Sequence, residues 1–418
     1  MSKIHFLPVK NGDSFVIECD KGNQHGVVVV DGGPTGYGKV LQSKVEETGI
    51  PDLLVLTHYD EDHIGGLTQY INSCVAKGES PAKEVWANCA GYVEVEEPVM
   101  TKSIVQGVKL SELLNRESRM RGMAWRDDVV EGIDKDFPFA SIEVVSPTPE
   151  VRELVIQKQK EEGLKQQAKA KSLDKEAVVE VDDLTIPLEE LAKGAVKAPN
   201  LKKSNELANA ASIAFILRCD GLSILMLGDG YPHDVEAYLR NVKGYSEDNP
   251  LEVDFVKVAH HGSMNNTSNE LLDIIKCNHF IIPTNGEKHH HPDRTAIAHI
   301  LCHPKRDLNE KVHLYFNCGL DELVGNAGAF INDGEQETWN FEMHEKATEL
   351  FTQAPAPAPQ PEQDSKQEPE PEQKSEPEPP QPPVEPTPAK RPFWKQPLFW
   401  GAIALAVAAA VLAICLSR

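Results

Sequence analysis

Short apolar runs broken by turn residues set the rhythm of the chain's first 300 or so positions. Phe15-Val16-Ile17-Glu18-Cys19 reads as a strand, a Lys-Gly-Asn turn follows, and Gly26-Val27-Val28-Val29-Val30 reads as a second strand ending at Asp31-Gly32-Gly33. A helix is predicted over about 38–48. The unbroken run Leu53-Leu54-Val55-Leu56 predicts a buried strand. A helix over 64–77 and a strand at Glu84-Val85-Trp86-Ala87 come next, and Ile142-Glu143-Val144-Val145 is a strand stopped by Ser146-Pro147-Thr148-Pro149. Residues 212–218 and 223–227 predict a hairpin turning at Asp220-Gly221 and ending in Gly228-Asp229. A helix over 232–242, a strand over 253–259, a helix over 268–276 and the strand Phe280-Ile281-Ile282 complete the set. Strands outnumber helices, and every polar cluster follows the C-terminal end of a strand. The clusters therefore fall along one rim of a layered α/β structure.

Outside that rhythm the composition changes three times. About 149–205 is rich in Lys, Glu, Gln and Ala, which predicts charged surface helices inserted between core strands. Its lysines, with Lys197, Lys202 and Lys203, are the best basic patch the chain offers. Residues 351–393 are mostly Pro, Glu, Gln, Ala and Lys, with little to bury, and read as a disordered linker after a domain spanning 1–350. From Leu398 to Leu416 there is no charge, and about 20 apolar residues are what a spanning helix needs. With Phe393, Trp394 and Trp400 as interfacial aromatics, 394–418 reads as a C-terminal transmembrane tail anchor. Lys390, Arg391 and Lys395 on its N-terminal side put the large domain in the cytoplasm. No secretory signal opens the sequence, and the eight cysteines form no CxxC pair, which fits a reduced compartment. The formal charge of −23 excludes a broadly basic surface, so a nucleic-acid substrate must be held by a local patch or by metal ions.

The chemistry concentrates in Thr57-His58-Tyr59-Asp60-Glu61-Asp62-His63-Ile64-Gly65-Gly66, directly behind the apolar strand. So many carboxylates and imidazoles at one point are costly unless a cation sits among them. Helix capping is the plainer explanation, but one Asp suffices for a cap. The two glycines are expected to let the backbone turn sharply into the helix. Asp31, Asp229 and the pair His260-His261 end other strands, and together with the 58–63 run they make the inventory a two-metal site needs.

In these stretches the chain resembles the metallo-β-lactamase superfamily, and within it the ComEC-type metallohydrolases related to a DNA-uptake channel's nuclease domain. The matching segments are Val30-Asp31-Gly32-Gly33, the loop from Leu56 to Gly66, Val145-Ser146-Pro147, Leu227-Gly228-Asp229, Lys257-Val258-Ala259-His260-His261-Gly262-Ser263 and His291-Pro292. They run in the family's order over roughly residues 4–320. The resemblance implies an αββα sandwich with a dinuclear site on its edge. It implies that His58 and Asp60 hold one ion, Asp62 and His63 the other, that Asp229 bridges them and that His261 completes the second. It places His260 and His291 near the substrate and makes Asp31 a support that orients the metal loop. Position 60 is Asp where most of the superfamily carries a second His, a feature the ComEC-type branch shares. No glycine-flanked His lies between 90 and 210 to finish the first site. An oxygen-rich site suits Mn²⁺ or Mg²⁺, and Zn²⁺ also fits.

The expected cofactor is thus two divalent ions, and the expected activity is phosphodiester hydrolysis, with Asp62, His260 and His291 as catalytic groups. Single-stranded or duplex DNA is the expected substrate. A small-molecule hydrolase acting on a nucleotide, a phosphorylated head group or a lactone is the alternative that acidic charge favours. A membrane-attached scaffold without catalysis is a third, against which the intact ligand set speaks. Adjacent side chains at a strand's end point to opposite sides. Only one of His260 and His261 is accordingly expected to face the metals, and the resemblance implies that it is His261.

Overall fold

The computed structural model describes residues 1–89, 102–166 and 184–352, all within one compact unit, Met1–Pro355. The N-terminal strands are β1 (Lys3–Phe6), β2 (Phe15–Lys21), β3 (Gln24–Val30), β4 (Leu53–Leu56), β5 (Glu84–Ala87) and β6 (Ala124–Arg126). There follow β7 (Asp134–Phe137), β8 (Ala140–Ser146), β9 (Ala214–Cys219), β10 (Leu222–Met226), β11 (Leu251–Glu252), β12 (Phe255–Lys257) and β13 (Ile275–Lys276). The last are β14 (His279–Ile282), β15 (Val312–Phe316), β16 (Phe341–His344) and β17 (Glu349–Leu350). One sheet has the order β17-β1-β2-β3-β4-β5-β6, the other β16-β15-β14-β12-β10-β9-β8-β7, and β11 pairs with β13 alone.

Each sheet is antiparallel in one half and parallel in the other. In the first, β1, β2 and β3 alternate and β3 through β6 run parallel. In the second, β7 through β10 alternate, and β10, β12, β14, β15 and β16 run parallel. The hairpins turn as their glycines require, with Gly22 and Gly221 at positive φ. Between the sheets pack Phe6, Phe15, Val30 and Trp86 from one side and Phe215, Ile224, Phe255 and Ile281 from the other. The outer face of the first sheet is covered by helices Gly38–Thr48, Glu61–Lys77 and Lys102–Arg121, through Leu41, Ile64, Leu67 and Leu114. Helices Pro232–Asn241 and Arg294–Leu301 cover the second through Val235, Leu239, Ile297 and Leu301. The layers are therefore α, β, β, α, as the resemblance implies. The parallel strands of both sheets end at one rim, where sites form in such folds.

Several expectations need correction. The run 253–259 is strand only over Phe255–Lys257, because Ala259–Gly262 bends into a short 3₁₀ turn. The helix expected over 268–276 stops at Leu272, and Ile275–Lys276 joins a strand instead. Gly65 and Gly66 do not turn the chain: they lie inside the helix that starts at Glu61. Their missing Cβ atoms let that helix lie directly on the Gly32–Thr35 loop, where added carbons would strike Thr35 and the Gly32 carbonyl. Of the charged insertion, Pro149–Gln166 and Leu188–Leu191 are helical and 167–183 lies outside the described residues. The linker and the apolar segment 394–418 lie outside them too, and among the described residues no helix is long and apolar enough to cross a membrane.

Candidate metal centre

The rim cluster is built around one carboxylate. Asp229 Oδ2 lies 3.7 Å from His58 Nε2, 3.3 Å from His63 Nε2, 3.7 Å from His260 Nε2 and 3.8 Å from His261 Nε2. Asp60 Oδ2 stands 3.8 Å from His58 Nε2, and Asp62 Oδ2 stands 3.6 Å from His261 Nε2. Two overlapping triplets, His58, His63, Asp229 and Asp62, His63, His261, have donor atoms close enough to share an ion. Asp60 occupies the N-cap position of the Glu61–Lys77 helix yet makes no side-chain cap bond. The capping explanation of this loop therefore fails for Asp60, whose carboxylate goes to the cluster instead.

Hydrogen bonds behind the rings decide which nitrogen each presents. A carboxylate or carbonyl can only accept, so the ring nitrogen facing it carries the proton. His63 Nδ1 donates to Asp31 Oδ2 at 2.8 Å and His261 Nδ1 to the Pro283 carbonyl at 2.6 Å. Thr57 donates its hydroxyl to Asp31 Oδ2 at 2.7 Å, so at 3.2 Å it accepts from His58 Nδ1. All three rings thus aim Nε2 inward, and in all three that buried atom has no hydrogen-bond partner. Asp229 Oδ1 is orphaned in the same way. Buried polar atoms are rarely left so, since each costs about 1–3 kcal/mol. A divalent cation satisfies them together, and the donor set of imidazoles and carboxylates fits one.

The charge balance points the same way. Burial opposes a proton on His63, but Asp229, Asp31 and Asp13 outweigh it and hold its pKa well above the ordinary value. Burial, then the His63 charge, pushes His58 well below it. Burial together with Asp62 and Asp229 raises Asp60 to about 7. Such an excess of negative charge is what a cation neutralises.

Asp31 touches the loop directly: its Oδ1 accepts from the Thr57 amide at 2.8 Å, and its backbone takes the left-handed φ of 56° that Asp tolerates. The alternation assumed for the paired histidines does not hold, although His261 and not His260 belongs to a triplet close enough to share an ion. His260 and His261 both adopt left-handed backbone, φ 49° and 56°, so neither strand nor helix geometry governs them. Both rings consequently reach Asp229. His260 is also the more open of the two, and its Nδ1 lies 3.2 Å from Asn266 Oδ1. His291 packs its ring 5.4 Å from that of His260 and donates Nδ1 to Asp293 Oδ1 at 3.1 Å.

Two residues of this centre had no assigned role in the sequence reading. Lys257 is fully buried, pairs with Asp13 and donates to the Gly228 carbonyl at 2.7 Å, with Asp229 Oδ1 at 3.7 Å. Asp13 in turn lies 3.8 Å from His63 Nδ1 and 3.6 Å from His261 Nδ1. Both carried signals. A lone Lys interrupts the apolar run 255–259, and Gly12-Asp13 repeats the Gly-Asp step of 228–229. No histidine occurs between His63 and His233, so His260 is the additional imidazole that reaches Asp229.

Solved structures of similar shape include the metallo-beta-lactamase fold protein YhfI from Bacillus subtilis, 8% identical over 84% of this chain and 99% of that one, TM-score 0.33. A diphosphatase of the PhnP family is 10% identical, covering 82% and 85%, TM-score 0.32. A mutant CmlA beta-hydroxylase is 11% identical, covering 84% of this chain and 54% of its own, TM-score 0.36. No curated protein matches the chain. Residues 7–101, which carry Asp13, Asp31 and the whole 58–63 loop, match the model of the metallo-beta-lactamase superfamily.

Proposed function

We propose that this chain is a metal-dependent phosphodiesterase, with nucleic acid as its substrate class. The observation that carries the reading is the convergence of three partnerless Nε2 atoms on the Asp229 carboxylate. His58, Asp60 and Asp229 would hold one divalent ion and Asp62, His63, His261 and Asp229 a second, as Zn²⁺ or Mn²⁺, with Mg²⁺ compatible with the oxygen-rich first set. When bound, such ions polarise a phosphoryl oxygen and acidify water. The protein's own contribution is to fix ring orientation through Asp31 and the Pro283 carbonyl and to keep the donors dry. Asp62 faces the centre and orients the attacking water. Burial holds His260 down to about 4, so it is neutral at physiological pH and cannot serve there as an acid. His291 would protonate the leaving oxygen from Nε2 of its imidazolium form, with its Nδ1–H held by Asp293 Oδ1 and the proton resupplied from water.

Nucleic acid as substrate rests on the ComEC-type motifs. The formal charge of −23 favours the alternative, a small phosphorylated molecule. Purified protein is assayed for metal content and for hydrolysis of an aryl phosphodiester, single-stranded DNA and nucleotides. Metal without any phosphodiester cleavage would sink the proposal, and cleavage of nucleotides but not DNA would select the alternative. We also propose that 394–418 anchors the domain to the cytoplasmic face of a membrane through the 351–393 linker. Recovery of the full chain in the soluble fraction would overturn the anchor.

A further inference from the structure

A second group of imidazoles lies away from the rim, on the last three parallel strands of the second sheet. Register brings it together: His279 stands opposite His313, His313 opposite Glu342, and Tyr315 opposite His344. Registered neighbours share a face, and here it is the face toward the other sheet, since His279 contacts Phe255 of the inter-sheet core. His279 opens β14, whereas the Pro283 carbonyl that binds His261 follows its far end, about 13 Å along the strand. The two groups are thus separate.

We propose that His313, Glu342 and His344 form a divalent-cation site of the zinc class that fastens the edge strand β16 to β15. Two imidazoles and one carboxylate are a common zinc donor set, completed by water. All three residues are part-exposed, and their donor atoms lie within 4.8 Å of one another. His313 Nδ1 and His344 Nε2 are 2.9 Å apart, so one proton is shared between them. Tetrahedral zinc with bonds of about 2.0–2.1 Å separates two nitrogens by roughly 3.4 Å. An opening of about 0.5 Å therefore exchanges the shared proton for the ion. Glu342 Oε2 is already 3.9 Å from His313 Nδ1. Its present partner Lys311, at 3.4 Å, is a surface ion pair that a cation displaces readily.

The rings are braced for this. His279 stacks on His313 at 4.8 Å and 7°, and Tyr315 stacks on His344 at 4.6 Å and 14°.

Zinc bound per chain is measured by equilibrium dialysis and atomic emission for the full chain and for its His313→Gln and Glu342→Gln variants. The wild type should hold one ion more than either variant, while phosphodiesterase rate at saturating rim metal stays the same. A copper-loaded sample should show nitrogen couplings in its EPR spectrum that His313→Gln removes in part. Equal stoichiometry in all three proteins overturns the site and leaves a purely packed ladder of rings. Loss of activity in step with the ion would also overturn it, because the two centres would then not be separate. Glu342→Gln alters an exposed side chain, so the comparison stands even if His313→Gln fails to fold.

Discussion

Of two clusters of histidine and carboxylate, one sits at the rim beyond the ends of β4, β10 and β12 and the other on the edge strands β15 and β16, and they differ in what stands behind the rings. At the rim, Asp31, Thr57 and the Pro283 carbonyl take up the Nδ1 protons of His63, His58 and His261, so the inward Nε2 atoms of those three rings are left without a hydrogen-bond partner. At the sheet's edge His313 and His344 satisfy each other, and their solvent-reaching faces need no third partner. The rim donors are thus preset for a cation, whereas an ion at the edge cluster would have to displace a shared proton. Backing partners, more than the number of histidines, separate a preorganised centre from an opportunistic one.

The severest test of that contrast is Asp229→Asn, which removes the carboxylate that four imidazoles share. Bound metal and hydrolysis should both fall to background with the fold intact by circular dichroism. Retained activity would remove the central role of Asp229. Next come the paired histidines. His261→Ala should strip metal, since its ring is buried and fixed by Pro283, and His260→Ala should lower occupancy less while still reducing turnover. Unchanged metal in His260→Ala would assign that ring to substrate alone. Asp31→Asn leaves the ligands but withdraws their support, and should weaken metal binding roughly 10–100-fold in a chelator competition. Gly66→Ala forces a carbon into the Gly32 carbonyl and should cost about 1–3 kcal/mol in denaturant unfolding, whereas Gly49→Ala meets only the strain of its positive φ.

The smallest effect belongs to the edge cluster and to pH. Burial first, then neighbouring imidazoles, depresses both His279 and His313. The unfolded chain therefore takes up protons more readily than the folded one as pH falls below the ordinary value near 6.5. Stability from these groups is complete above that value and declines as pH drops toward the folded pKa. Thermal melts of metal-free protein should show this slope, and His313→Gln should flatten it without altering the rim. A slope unchanged in the variant would place the titration elsewhere.

The 57–66 loop was legible because its charges are contiguous and follow an apolar strand, and the α/β layering was legible because strand periods are local. For His260 and His261 the geometric premise fails, since alternation holds along a strand and both residues are left-handed. Gly65 and Gly66 were assigned to a turn because a close approach to Gly32 is invisible along one dimension. The edge cluster was missed entirely: His279, His313 and His344 are far apart in the sequence, and only strand register makes them neighbours.

The rim is assembled from both sheets, and this gives it a place in the order of folding. His58 to His63 hang from the first sheet, while Asp229, His260 and His261 hang from the second, roughly 170 residues later, a closure whose entropy grows only slowly with length. A chain emerging from the ribosome holds the first half of the donors long before the second exists. Until the two sheets dock, it offers an ion only the partial set of the 58–63 loop and Asp31. Tight occupancy then reports completed docking, and at 100 times the dissociation constant it adds about 2.7 kcal/mol to the docked state. The complete donor set thus exists only once the two sheets have docked.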